Sequence, residues 1–417
     1  MPRFPRVTET YVLFEIEALL ASGREVRIYP LLQETFDFEH AAVARLRPRV
    51  RFQPLFSGAV WGANALFLLR HPLRYALALL TLILVLARSP GQLLGSLRLF
   101  PKTVAYARDM QRQNVAHVHA HFADIPATAA WLIHRLIGMP FSFTVHGADL
   151  HRAQVGMATK LKGAQFAAQV SEYNRSLILE RVGDWATGKL PLVRCGIELP
   201  TVSEAAAGPA EIIANDRFTI LCVASLRPAR GHVELLGALE ILKKSAIPFA
   251  CRLVGDGPER EALRALTEEL GLVGDVEFVG HQNQAAAEHE LQTSDAVLLL
   301  ETGHDSDQRE GISQILMRAM ARSRPVIATD SGGTPELITS GVEGFLVPPN
   351  DTAALALALT RLWEDDQLRI QMGAAGLARI TSEYNLRTNA LLLARLFDST
   401  LGPLPKSRPK RPRIVSR

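Results

Sequence analysis

Cysteine is scarce in this chain. Only Cys195, Cys222 and Cys251 occur in 417 residues, far apart and without a C-x-x-C pair. Three scattered thiols argue against a disulfide framework and offer no zinc-ligand spacing, so a reducing, cytoplasmic setting is expected. Long apolar runs are missing as well. The longest, Tyr75 to Ala87, has 13 residues with Thr81 inside it, short of the roughly 20 that span a bilayer. The start, Met1-Pro2-Arg3-Phe4-Pro5, lacks the apolar centre of a secretory leader. The body of the chain also lacks excess positive charge. Six of the 46 Lys and Arg residues sit at Lys406, Arg408, Lys410, Arg411, Arg413 and Arg417, leaving 40 against 42 acids. The formal charge of +4 therefore belongs to the tail, and a nucleic-acid footprint across a domain face is not supported.

What is present is alternation. Hydrophobic residues make up 48% and charged residues 21%, the balance of a globular protein long enough for two or three cores. Tyr11 to Leu20 keeps a helical apolar face closed by Gly23, and Glu25 to Pro30 alternates as a strand does. Beyond Phe218 the pattern is regular: strands at Phe218–Ala224, Phe249–Val254, Val276–Val279 and Ala296–Leu300, with helices such as Val233–Lys243 and Glu259–Leu270 between them. Such alternation implies parallel sheets covered on both faces. Between Phe56 and Phe100 two apolar segments flank Arg70-His71-Pro72-Leu73-Arg74 and read as two helices of an insertion. Buried core helices and an interfacial contact with anionic headgroups, made through Arg70, Arg74 and Arg88, are the two readings left open.

Ala116-His117-Val118-His119-Ala120-His121 places three histidines on one strand face, with His146 not far along the chain. No carboxylate or cysteine at ligand spacing completes a metal site, so hydrogen bonding of these histidines to backbone is expected. His146 ends a strand, Phe141 to Val145, before a polar turn, a place where a neutral imidazole can meet a ligand.

The most informative stretch runs from Glu310 to Gly333. A carboxylate at Glu310 precedes Gly311 and Ile312, and Ser313 is a good N-cap for an apolar helix. A buried strand at Val326–Ala328 and the turn Gly332-Gly333 follow. Free amides at such a helix start suit an anion. Glu310-Gly311 and Ala319-Met320-Ala321, taken with Phe4 to Leu13, Thr144 to Leu150 and Leu253 to Pro258, resemble the retaining glycosyltransferases of family four, in order and over nearly the whole chain. Exopolysaccharide and colanic-acid-type members are the most similar in pattern. Four positions depart from it: Ser313 stands for proline, Arg318 for a second glutamate that normally holds the ribose, Ser225 for an arginine and Arg230 for a lysine.

The resemblance implies a GT-B fold, two Rossmann-like domains of doubly wound parallel sheet facing a cleft. An acceptor-binding domain would span residues 1–200, with the helical insertion at about 56–112 and a linker after Pro200. A nucleotide-sugar domain would span 217–385, a helix at 386–402 would return to the first domain, and 403–417 would be a disordered basic tail. It implies a metal-independent hexosyltransferase without cofactor, taking a nucleotide sugar to a surface-polysaccharide, glycan or polyprenyl-linked acceptor. Peripheral contact with an anionic inner membrane face is part of the same expectation. His146, Arg230 and Glu310 take the catalytic places. Ser225, Arg227, Arg230, Glu310, Gly311, Ile312, Ser313 and Arg318 line the donor, and Thr8, Glu9, Thr10 and Asp149 the acceptor side. Arg318 leaves three readings: an ion pair with an acid such as Glu336, a donor of extra negative charge, or a lost catalytic role. The last makes the rival a catalytically silent homologue that binds glycan or partner enzymes.

Overall fold

The computed structural model describes residues 1–4, 10–34, 41–147, 149–150, 155–199, 217–282, 284–302 and 312–401. The stretches containing Thr8, Glu9, Glu310 and Gly311, the segment after Leu199, and the tail after Leu401 lie outside the described residues.

The C-terminal half is a single six-stranded parallel sheet. Its strands are β6 (Phe218–Val223), β7 (Phe249–Val254), β8 (Val276–Gly280), β9 (Ala296–Leu299), β10 (Val326–Thr329) and β11 (Gly344–Val347), and they stand in the order β11-β10-β9-β6-β7-β8. β9 and β10 are buried along their whole length, as strands covered by helices on both faces must be. Apolar residues of this sheet face two separate clusters, one with the helices His232–Lys244 and Thr352–Glu364, the other with Gln314–Met320.

In the N-terminal half the numbering begins with β1 (Arg3–Phe4) and β2 (Leu32–Gln33), a short parallel pair, and continues with β3 (Val118–His121), β4 (Phe141–Val145) and β5 (Ala167–Gln169) in a second parallel sheet. The strand expected at Glu25–Pro30 forms only one bridge, Ile28 to Val50, and the regular pairing shifts to Leu32. The reason lies in the side chains. Arg27 bonds Gln113, Tyr29 bonds Asp109, and Tyr106 donates to the Pro30 carbonyl, so this segment is held by a helix as much as by a ladder.

That helix, Pro90–Arg112, is the third member of the insertion, where two helices were expected. The other two are Gly58–Arg70 and Pro72–Leu86, meeting at 112°. Asn64 ties them together. Its amide donates to the carbonyls of Val60 and Pro101, and its oxygen accepts from Tyr75. The Pro72–Leu86 helix buries only Ala78, Leu82 and Leu86, a stripe at four-residue spacing. Trp61, Leu69, Leu73, Leu77, Leu80 and Leu84 remain exposed on this pair. No single described helix is long and apolar enough to cross a membrane.

The helix Leu386–Leu401 packs back onto Thr10–Ala21, with Leu393, Ala394 and Phe397 set against Leu19, Phe166 and Val193. Where the chain crosses between the halves, the Ile197 amide donates to the Tyr384 carbonyl and the Leu386 amide to the Ile197 carbonyl. Gly196 is required here, because an added methyl would run into the Leu386 backbone.

Candidate functional site

In the C-terminal sheet the chain leaves β6 toward β7 and β8 on one side, then returns to β9 and runs to β10 and β11 on the other. Strand order reverses between β6 and β9. Ligands of open parallel sheets bind outside the carboxyl ends of the strands at such a reversal. The loop after β6 carries Ser225, Arg227 and Arg230, and the loop after β9 carries Glu301. The two loops are laced together. The Thr302 amide donates to the Ala229 carbonyl, and Gly231, at φ +61°, lies so close to Leu300 that a Cβ would collide with it. Gly255 and Gly257 play the same part beneath, since a methyl at either would strike the carbonyl of Ala224 or Leu226.

Arg230 Nη1 lies 3.2 Å from Glu301 Oε1, with both side chains about one-eighth exposed. Ser225 and Arg227 are exposed on the same loop. Glu301 escaped the sequence reading, though an acid directly after the apolar run Ala296–Leu300 is a readable signal at a strand's carboxyl end. Ser313 occupies the N-cap of the seven-residue helix Gln314–Met320, but its hydroxyl makes no capping bond. Ile312 packs beside the cluster containing Leu316 and Met320.

Arg318 does not pair with Glu336. It and Arg322 both grip Glu288, on the helix Gln284–Thr293. Glu336 is engaged elsewhere: its carboxylate accepts from the amides of Glu172 at 2.8 Å and Tyr173 at 2.6 Å, at the start of the helix Glu172–Val182 in the other half. A carboxylate at a helix N-terminus is favoured by its free amides and dipole.

Across the cleft, the histidines form a ladder on two strands in register, His119 opposite Ser142 and His121 opposite Thr144. They bond side-chain hydroxyls of the neighbouring strand, a correction to the expected backbone contacts. His117 Nε2 lies 2.7 Å from Ser142 Oγ, His119 Nδ1 2.8 Å from the same hydroxyl, and His119 Nε2 2.9 Å from Thr144 Oγ1. His121 Nδ1 then meets His146 Nε2 at 3.2 Å, and His146 Nδ1 lies 3.6 Å from Cys195 Sγ. Burial holds all four imidazoles neutral, pushing His117 down to about 4 and His146 down to about 3, with His119 and His121 well below the ordinary value.

Glu15, on the helix Thr10–Ala21, reaches this ladder, with Oε1 3.5 Å from His121 Nε2. Burial raises its carboxyl to about 8. Glu15, His119 and His121 bring three ligand atoms within 4.8 Å of one another. Both ring nitrogens of His119 are already taken by hydroxyls, so the donor set suits hydrogen bonding better than a cation. Asp149 is fully buried and accepts from the amides of Ala123, His146 and Gly147. Burial outweighs these three donors and lifts its pKa to about 6. It shapes the turn that carries His146. Tyr11 packs at a tilt against the His146 ring, centroids 5.0 Å apart, which brings the start of the helix that begins at Thr10 to the same place.

Comparison with known proteins follows this geometry. Residues 203–379 match the family described as glycosyl transferases group 1. The chain is 27% identical over 413 residues to the amylovoran biosynthesis glycosyltransferase AmsK of Erwinia amylovora, covering 95% of this chain and 97% of that one. It is 28% identical to the putative colanic acid biosynthesis glycosyltransferase WcaL of Salmonella typhimurium, covering 86% and 88%. Among solved structures, Anabaena HepE in complex with UDP and glucose superposes with a TM-score of 0.64 at 17% identity, over 95% of this chain and 96% of that one. The chain thus has the GT-B arrangement of two Rossmann-like halves facing a cleft, carries a group 1 glycosyl transferase match in its C-terminal half, and is related along its length to glycosyltransferases of exopolysaccharide and colanic-acid type.

Proposed function

We propose that this protein transfers a hexosyl group, with retention, from a nucleoside-diphosphate sugar to a surface-polysaccharide or lipid-linked glycan acceptor. The observation that carries the reading is the strand-order reversal between β6 and β9, with Arg230 held at its mouth by Glu301. A fixed guanidinium there binds a departing diphosphate more strongly as negative charge develops on it. In the reaction the bond from the anomeric carbon to the phosphate oxygen breaks, and the bond to the acceptor oxygen forms on the same face. The acceptor's proton leaves with the phosphate, so no protein carboxylate acts as nucleophile and no metal is called for. Arg230 in place of a lysine makes that grip a planar fork instead of a point charge. Glu310 would orient the sugar, with Gly311, Ile312 and Ser313 beside the diphosphate, and Arg227 would supply the charge that Ser225 does not. Thr8, Glu9 and Thr10 would line the acceptor side.

Arg318 bears on the donor base. Paired with Glu288, it leaves no carboxylate at its own position for the ribose hydroxyls, and backbone groups would take that role. HepE is described in complexes with UDP and with UDP-glucose, which supports a uridine nucleotide as the first to test. Calorimetry with UDP and GDP, followed by turnover on a panel of nucleotide sugars, tests the reading. Micromolar binding with release of the diphosphate is expected, and failure to bind any nucleotide would favour the silent, glycan-binding homologue instead.

The same reading includes peripheral attachment to an anionic membrane. No Asp or Glu occurs from residue 40 to residue 108, while Arg70, Arg74 and Arg88 bracket the exposed leucines of the helical pair. An apolar face rimmed by cations is what an anionic bilayer surface takes.

A further inference from the structure

Buried carboxylates have reasons, and those of Glu15 differ from those of Asp149. Asp149 accepts three backbone amides and so shapes a turn. Among the described residues Glu15 has no such donors. Its Oε1 is buried without a hydrogen bond in the geometry observed, and the nearest group is His121 Nε2 at 3.5 Å. An uncharged glutamine or leucine would cost the fold less at this place. The neighbours of Glu15 therefore hold its purpose. From β3 it is faced by His119 and His121; His121 meets His146 at the end of β4, and His146 meets Cys195. The chain's amino terminus adds positive charge near His119 and His121, and Asp149 adds negative charge near Cys195.

Proton accounting along this line permits two states. When Glu15 carries its proton, it donates to His121 Nε2, His121 donates through Nδ1 to His146 Nε2, and His146 keeps its proton on Nδ1. When Glu15 is ionised, each bond reverses, and His146 Nδ1 becomes a bare acceptor. The group at Nδ1 is the Cys195 thiol, a weak partner at 3.6 Å that a sugar hydroxyl displaces at little cost. Both His146 and Cys195 are partly exposed, so this end of the line is accessible to a ligand.

We propose that Glu15 and His121 are positioning residues for His146, fixing whether its Nδ1 meets a sugar hydroxyl as a donor or as an acceptor. The catalytic contact rests on the sugar-transfer reading above; the relay itself does not. Because burial raises the Glu15 carboxyl to about 8, the donor state holds at neutral pH and gives way as pH rises through that value.

The test joins spectroscopy to kinetics. Nitrogen-15 histidine spectra of the full chain between pH 6.5 and 9 should show His146 protonated on Nδ1 at the low end and on Nε2 at the high end. Glu15→Gln, whose amide mimics the protonated acid, should keep the Nδ1 tautomer throughout, retain activity at pH 7 and lose the alkaline limb of the pH–rate profile. Glu15→Ala should lower kcat about tenfold while leaving UDP affinity and the KM for the nucleotide sugar unchanged. A His146 tautomer indifferent to both pH and Glu15→Gln, or an Ala variant with the parent's kcat and profile, would overturn the proposal. Should the protein bind no nucleotide, the sugar-transfer reading falls while the spectra still decide the relay.

Discussion

At the residue scale, Arg230 and Glu301 form a partly buried pair at the crevice. On the proposed reaction, substituting Arg230 with Ala removes the charge that would meet the leaving diphosphate, and a loss of about 3 kcal/mol of transition-state stabilisation, or roughly a hundredfold in kcat, is expected. Melting should change far less, because the loop is also held by the backbone bond from Thr302 to Ala229. Turnover and thermal melting measured on the same preparation separate the two effects. His117 gives a prediction of another kind. Unfolded, it takes up a proton near 6.5; folded, only near 4. Between those values the unfolded chain binds more protons, so stability falls as pH drops, by about 3 kcal/mol from this group. Glu15 acts in the opposite sense, losing stability as pH rises from about 4.5 to about 8, because the folded form keeps its proton. Melting temperature against pH should therefore decline on the acid side, and His117→Gln, which preserves a partner for Ser142, should flatten that decline.

At the scale of elements, much of the fold was legible. The C-terminal strands are continuous apolar runs between glycine turns, and β6, β7, β8 and β9 fall where their composition puts them. The N-terminal strands were harder to read. Ile28 pairs with Val50 on one side while Leu32 pairs with Arg3 on the other, so no single run of residues carries the whole ladder. Local sequence also could not reveal partners brought together by topology. Glu15 lies far from His121 in the chain, and Glu288 is a full strand and loop away from Arg318; only the packing of helices onto the sheets joins them. The loop after β6 and the helix start after Glu310 drew attention through the resemblance, yet the pairing of Arg230 with Glu301 could not be read from the sequence. The helical pair Gly58–Leu86 gives this scale its prediction. Leu69→Glu with Leu73→Glu places acids on its exposed apolar face. The parent protein should sediment with vesicles containing phosphatidylglycerol and not with neutral ones, and the double variant should stay in the supernatant. Unchanged sedimentation of the variant would remove this face from the membrane reading.

For the whole molecule, Glu336 is one of the groups through which the two halves meet. It reaches from the C-terminal half to the amides of Glu172 and Tyr173, and Arg194 stands 3.8 Å from it while also facing Glu383 at 3.5 Å. A carboxylate so placed contributes up to about 2 kcal/mol. Glu336→Ala should leave each half folded, lower the denaturant midpoint modestly and enlarge the radius of gyration measured by small-angle scattering. An unaltered radius would show that the contact does not govern how far the lobes part.

The backbone crossing at Ile197 and Leu386 has a consequence for that parting. Two amide bonds stitched beside Gly196 pin the two strands of chain together there, so a swing of one lobe against the other would use this crossing as its axle. Cys195 sits next to that axle, and its sulfur is the neighbour of the His146 ring. The end of the histidine line is thus anchored beside that crossing, so a change in the angle between the lobes would displace its imidazole little.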